Sequence, residues 1–262
     1  MWNVIRAQLY QLKKDKISWG AIFLALAMSV ILAFLYADEY KSGSEIVAGM
    51  AFFYAMIGMI VMLIVVTGIM GKDFTDKTLN YEILAGHTRG EVFLGRLLVA
   101  ALVGSLVGFL VMVVVPCAAT LFLGWGDVMA WQGVVIRYGL VWVTLVSICV
   151  QLAFVTILTK NPYITLLVGY LVGCGQMMIR TLGQEFPDLA SVGESPLLSI
   201  NHCMNLLTFD DWYTFFLDET EQIIYNSAVE PQLIVTTIGT CLVTIVLLTI
   251  FGYVFFKHDD LN

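Results

Sequence analysis

Few residues in this chain have the types and the spacing that catalysis or metal binding requires. The five cysteines and three histidines are scattered, without the spacing of a metal site or a disulfide framework. The one Gly-Lys pair, Gly71-Lys72, is not a phosphate-binding loop, because Val66 replaces the first glycine and Asp73 replaces the hydroxyl residue. The sequence therefore predicts no catalytic residue, no metal site and no cofactor bound to this chain.

The most informative stretch connects the second and third apolar runs. Asp76 is placed to cap a short helix over residues 77–84, and Gly86 supplies the left-handed residue that ends such a helix. Thr88 and Glu91 then form a capping box that opens the next helix. The short helix has an apolar side that consists of Leu79, Tyr81, Ile83 and Leu84.

An amphipathic helix joined rigidly to a membrane span needs something to cover its apolar side. The sequence leaves two interpretations open. The helix docks on a partner protein, or it lies flat on the lipid surface.

The polar and sulfur-containing residues inside the apolar runs are candidates for a substrate path, and they are Met56, Met59, Gln151, Gln176 and Arg180. Methionines give a soft, adaptable apolar surface, but they are also ordinary lipid-facing residues. The glutamines can line a path or join helices, and packing is the favoured interpretation. The pairs Gly104/Gly108 and Gly169/Gly173 permit close approach of helices.

Composition shows what kind of element must position these residues. The chain has 262 residues, of which 60% are hydrophobic and 13% charged, whereas soluble domains are about 45–50% apolar and about 25% charged. Such an excess of apolar surface must face lipid, where only helices and closed barrels satisfy the backbone. The apolar runs are long and unbroken, so the sequence predicts an all-α membrane protein.

Six runs are long enough to cross about 30 Å of hydrocarbon. The predicted spans are residues 17–37, 46–70, 92–123, 134–158, 163–182 and 233–256. The third is about 48 Å long at 1.5 Å per residue, so it must tilt, project beyond the bilayer or break near Pro116.

The distribution of Lys and Arg predicts the orientation. With the N-terminus in the cytoplasm, ten of the thirteen basic residues lie on the cytoplasmic side, and both termini are cytoplasmic. The inner side then carries a charge of +3 and the outer side −10, so the net charge of −7 comes from the outer side and gives no indication of nucleic-acid binding.

Two further segments lie outside the spans, one before the first span and one between the fifth and the sixth. Residues 1–16 are expected to form a basic amphipathic helix at the inner membrane surface, the alternative being a simple overhang of the first span. Residues 183–232 form a long outer segment with nine acidic residues and an expected helix over residues 210–226. Its acidity is either functional or only solvating.

The stretch from residue 73 to residue 96 resembles the type II permease family of ABC exporters. The family pattern is matched by Asp73-Phe74, Thr78, Ile83-Leu84, Gly86, Thr88-Arg89 and Arg96. The chain departs from it at Lys77, where the family usually has glycine. The resemblance extends to the N-terminal interfacial helix, the six spans and the outer segment before the last span.

The resemblance implies a cytoplasmic coupling helix over residues 72–91, which docks in a groove of an ATPase subunit. The coupling residues are then Asp73, Phe74, Thr78, Leu79, Tyr81, Glu82, Ile83, Leu84, Gly86 and Arg89. It also implies a second, identical permease, two ATPase chains that bind ATP and Mg²⁺, and a place in the bacterial plasma membrane. The substrates would be amphipathic or hydrophobic, as in the branch that exports peptide antibiotics.

Two other classes stay open from the sequence: an ion-coupled carrier, and a membrane scaffold or sensor without transport. No Asp, Glu, Lys or His lies near the middle of a span, where ion-coupled carriers usually place such residues. This pattern favours the exporter over the carrier.

Overall fold

The structure is a computed structural model, and all regular structure in the part that it describes is helical. The described residues are 1–35, 42–75, 83–126, 129–186, 195, 197–207 and 229–258. They form α1 (Trp2–Lys14), α2 (Lys16–Leu35), α3 (Gly43–Gly49), α4 (Ala51–Thr75), α5 (Arg89–Leu123), α6 (Trp131–Thr159), α7 (Pro162–Glu185), α8 (Ser199–Leu207) and α9 (Pro231–His258).

Five helices in these ranges are long and apolar enough to cross a membrane, namely α4, α5, α6, α7 and α9. The pair α1 and α2, bent by 63° between them, would make a sixth. Large apolar side chains also face outward, as in α5, where Leu94, Leu98, Leu102, Leu106 and Leu110 are exposed. Lipid is the solvent in which such a surface is stable. The chain thus has the helices of a multi-pass membrane protein.

The long helix α5 lies at the centre of the bundle. It runs for 35 residues without interruption through Pro116, so it is about 52 Å long and must either tilt in the hydrocarbon core or project beyond it. The predicted capping box is confirmed at its start. The Thr88 hydroxyl accepts from the Glu91 N–H at 3.3 Å, and the Glu91 carboxylate accepts from the Thr88 N–H at 3.3 Å.

Small residues bring α4 against α5, as their spacing predicts. A Cβ atom on Gly104 would lie 2.4 Å from Val66 Cγ2, and one on Gly108 would lie 3.2 Å from Met62 Cβ. Since real Cβ atoms essentially never approach within 3.0 Å of another atom, Gly104 is required for this packing.

The second predicted span, residues 46–70, is divided in the structure. A short buried helix, α3, ends at Met50, and the long helix α4 starts at Ala51. The N–H of Gly43 donates to the Gly124 carbonyl at 2.8 Å, and the N–H of Ser44 donates to the Trp125 carbonyl at 3.0 Å. These partners lie about 80 positions away in sequence, so local hydropathy does not reveal the break.

Contacts between helix ends show which ends share a face of the molecule. A Cβ on Gly71, near the end of α4, would lie 2.7 Å from Pro162 Cβ at the start of α7. At the start of α5, Arg89 Nη1 donates to the Lys257 carbonyl at the end of α9 over 2.9 Å. We call this end of the molecule the basic face. Its described Lys and Arg residues are Arg6, Lys13, Lys14, Lys16, Lys72, Arg89, Arg96, Lys160 and Lys257.

The N-terminal helix α1 packs against the start of α5. Its expected apolar side consists of Trp2, Ile5, Leu9 and Leu12. Ile5 and Leu12 are partly buried against the core as expected, whereas Trp2 and Leu9 are exposed, and Val4 and Gln8 are buried instead. Gly95 leaves the space for this contact, because a Cβ there would lie 3.1 Å from Val4 Cγ1.

Candidate functional site

The predicted coupling region lies on the basic face, where Ile83–Thr88 form what we call the corner segment. The Gly86 N–H donates to the Ile83 carbonyl at 3.0 Å, and Gly86 has φ of +93°. Because this left-handed conformation favours glycine, the predicted backbone conformation of Gly86 is confirmed. Most of the helix that it was expected to end, residues 77–84, lies outside the described residues. Leu84 is 81% exposed, so a large apolar side chain projects from the molecule at this corner.

Aromatic rings fix the neighbourhood of the corner segment. Phe93, one turn into α5, packs on Phe256 of α9 with 5.6 Å between ring centroids and on Tyr253 with 5.9 Å. Phe74 at the end of α4 meets Phe256 edge-on at 6.5 Å. We call these four residues the aromatic clamp. It joins α4, α5 and α9 immediately beside the corner, so the corner sits on a rigid support.

Five of the predicted coupling residues lie in the described part of the chain, and they are Phe74, Ile83, Leu84, Gly86 and Arg89. Of these, Phe74 and Arg89 both contact the last turn of α9. Thr78, Leu79, Tyr81 and Glu82 lie outside the described residues, as does the side chain of Asp73.

Arg89 and Arg96, both part of the family pattern, take different places. Arg89 was expected at the edge of a docking surface, and its guanidinium donates to the last turn of α9 within the chain. Arg96, two turns into α5, is 2% exposed and lies inside the bundle.

A second arrangement of polar residues lies inside the bundle and was not predicted. Helix α8, from the segment expected to be an outer loop, is almost entirely buried against α4, α6 and α7. Its first residue, Ser199, is hydrogen-bonded to Gln151 of α6. Gln151 lies twenty residues, or about 30 Å, from Trp131 at the start of that helix. The start of α8 therefore lies deep in the bundle.

Two predicted substrate-path residues hold the start of α8. Gln176 of α7 accepts hydrogen bonds at Oε1 from the N–H groups of Ile200 at 3.0 Å and Asn201 at 3.3 Å. Gln151 of α6 donates to the Ser199 hydroxyl at 2.7 Å. The first N–H groups of a helix have no partner within it, so Gln176 acts as a cap supplied by another helix. Both glutamines thus join helices, the favoured of their two predicted roles.

His202 joins α8 to α9. Its Nε2 lies 2.8 Å from the Thr237 hydroxyl oxygen, while that hydroxyl donates to the Leu233 carbonyl at 2.7 Å. Since the single hydroxyl proton is used for Leu233, Nε2 carries the proton and donates to Thr237.

The two predicted methionines line a cleft between α4, α7 and α8. The cleft has a volume of about 70 Å³, and Met56, Met59, Met177 and Ile200 are among its wall residues. Gly169 of α7 lets Leu63 of α4 pack closely at one end, since a Cβ there would lie 2.6 Å from Leu63 Cδ1. The side chain of Arg180, the last substrate-path candidate, is outside the described part of the chain.

Both sites consist of packing contacts and hydrogen bonds between helices. Within the described ranges, no three His, Cys, Asp or Glu side chains come together as metal ligands would. One site presents an exposed leucine on a rigid corner. The other holds a short polar helix inside an apolar bundle. A helix at this position could have been predicted from the spacing of Ile200, Met204 and Leu207 (i, i+4 and i+7), although its burial in the bundle could not.

Comparisons with known proteins assign no family to this chain. No protein-family model matches it, and no curated protein matches it. The functional conclusion therefore depends on the residues and the geometry described above.

Proposed function

We propose that this chain is the permease subunit of an ATP-driven exporter of the ABC type. It spans the plasma membrane of a bacterium six times, with α1 at the inner surface, and its basic face is cytoplasmic. Two ATPase chains bind ATP and Mg²⁺ and supply the energy. A second, identical permease completes the path for an amphipathic or hydrophobic substrate, such as a peptide, an antibiotic or a lipid-like molecule.

The observation that carries this proposal is the corner segment with its exposed Leu84. Leu84 is 81% exposed and lies beside the charged residues of the basic face. Most of its apolar surface is therefore not covered by the rest of the chain. The capping box and the aromatic clamp fix the corner to α4, α5 and α9, so a force on the corner moves these helices. Both features suit a docking element that transmits motion from another protein.

The charge distribution supports the orientation. Nine described Lys and Arg residues lie on the basic face, and the opposite half holds Arg137 and Arg180 among the described residues. Cytoplasmic segments of membrane proteins carry such an excess. The basic face then points to the compartment that contains ATP.

The test is purification of the tagged chain from its native membrane in mild detergent. We expect a subunit with an ABC-type nucleotide-binding sequence to co-purify in equal amount and the preparation to hydrolyse ATP. A chain that purifies without any ATPase, and supports substrate movement driven by an ion gradient, would contradict the proposal.

A further inference from the structure

Helix α9 touches both of the sites described above. At its C-terminal end, the Lys257 carbonyl accepts from Arg89, and Phe256 is buried in the aromatic clamp. Near its N-terminal end, Thr237 accepts from His202 of α8. Twenty residues separate Thr237 from Lys257, so one helix bridges about 30 Å between the corner segment and the interior of the bundle.

Between these ends, α9 is one continuous helix. Its buried residues follow one stripe, which consists of Thr237, Cys241, Gly252 and Phe256. The stripe packs on α6 and α5, for example where the Cys241 thiol meets the Thr144 hydroxyl at 3.9 Å. The other sides are apolar and exposed, and the only proline is at the first position, so no proline kink interrupts the helix.

We propose that α9 transmits displacement of the corner segment to α8, with Arg89 and Thr237 as the positioning residues at its two ends. The inference relies on the proposed function only for the source of the displacement, which would be closure of the ATPase subunits. The link itself is a property of this chain. Arg89 holds the C-terminal end of α9 through its hydrogen bond, and a shift of α9 moves Thr237 and therefore His202, to which Thr237 is hydrogen-bonded.

The chain contains its own reporter for the position of α8. Cys203, the neighbour of His202, is fully buried, and an opening of α8 is required before its thiol can react. Cys149 of α6 is also fully buried, but its thiol faces α5, 3.0 Å from where a Cβ on Gly104 would lie, so its reaction reports general unfolding. Alkylation of both thiols by N-ethylmaleimide is measured by mass spectrometry on the full chain in lipid nanodiscs.

Three variants test the link. Thr237→Val leaves the Nε2–H of His202 without its acceptor, and the alkylation of Cys203 should become about five- to tenfold faster, the lower end of the effect of leaving one buried donor unpaired. Arg89→Ala, about 30 Å away, should accelerate the same thiol in the same range, while the rate at Cys149 stays unchanged. Arg89→Lys keeps a donor for the Lys257 carbonyl and should restore at least half of the effect. Arg6→Ala is the matched control, since Arg6 is on the basic face but stacks on Trp2 of α1.

The double variant Arg89→Ala with Thr237→Val decides whether α9 carries the effect. If α9 carries the effect, the second change adds little. Cys203 of the double variant should then react no more than about twofold faster than Cys203 of the faster single variant. Two outcomes would overturn the inference: a wild-type rate at Cys203 in Arg89→Ala, or effects of the two changes that multiply. Because no ATPase is present in this assay, failure to find an ATPase partner would defeat the proposed function without affecting the measurement.

Discussion

The role of Gln176 can be tested by replacing it with leucine, which has nearly the same size but no acceptor. In the wild type, Oε1 of Gln176 accepts from the N–H groups of Ile200 and Asn201 at the buried start of α8. The substitution leaves both donors without their partner in an apolar environment. Helix α8 should then open more often, although the leucine fills most of the space.

The magnitude follows from the two stranded donors. A buried donor that loses its partner costs about 1–3 kcal/mol. At the lower limit, two donors destabilise the closed position of α8 by about 2 kcal/mol. Since 1.4 kcal/mol corresponds to a factor of ten, the open population should rise about 30-fold.

Alkylation of the buried Cys203 thiol measures this opening in the full chain, with Cys149 as the internal reference for unfolding. The matched control is Gln132→Leu, which makes the same chemical change at an exposed position in the first turn of α6. We expect a rate about 30-fold higher for Gln176→Leu and a wild-type rate for the control. If Cys203 of Gln176→Leu reacted at the wild-type rate, Gln176 would not hold α8, and its alternative role in a substrate path would be favoured.

A further prediction concerns packing. Gly104→Ala places a methyl group 2.4 Å from Val66 Cγ2 and should cost about 1–3 kcal/mol, because the crowded side chain must shift. The loss is measured as a lower thermal midpoint, which Val66→Ala in the same chain should restore. Gly139→Ala, with open space around it, should leave the midpoint unchanged, and an equal loss in both variants would contradict the packing argument.

The features that the sequence predicts correctly depend on local patterns. The apolar runs predict the long helices because lipid requires about 20 apolar residues in each span. The capping box of Thr88 and Glu91 is a pattern of four residues, and the role of Gly86 follows from its own backbone freedom. Each of these signals is complete within a few turns of the chain.

The features that the sequence does not predict depend on distant partners. The polar residues of α8 are typical of a loop until Gln151, Gln176 and Thr237, from three different helices, supply their hydrogen bonds. Similarly, the start of α3 is held by backbone hydrogen bonds to Gly124 and Trp125, about 80 positions away. Hydropathy along the chain contains no information about these pairs. The link from Arg89 to α9 has the same origin, since 168 positions separate Arg89 from Lys257.

The central claim, that the corner segment docks on an ATPase, is tested most directly by Leu84→Asp in the complex purified from native membranes. Fully burying a leucine contributes about 1.5–3 kcal/mol, so even Leu84→Ala should weaken ATPase binding about tenfold or more, and Leu84→Asp also places a charge in the contact. The control is Tyr163→Asp on the same face. Tyr163 is 73% exposed and lies in the first turn of α7, where the helix dipole favours an acidic side chain. We predict that Leu84→Asp inserts normally but loses both the co-purifying ATPase and ATP turnover, while Tyr163→Asp keeps both. A Leu84→Asp chain that retained the ATPase and full turnover would contradict the account.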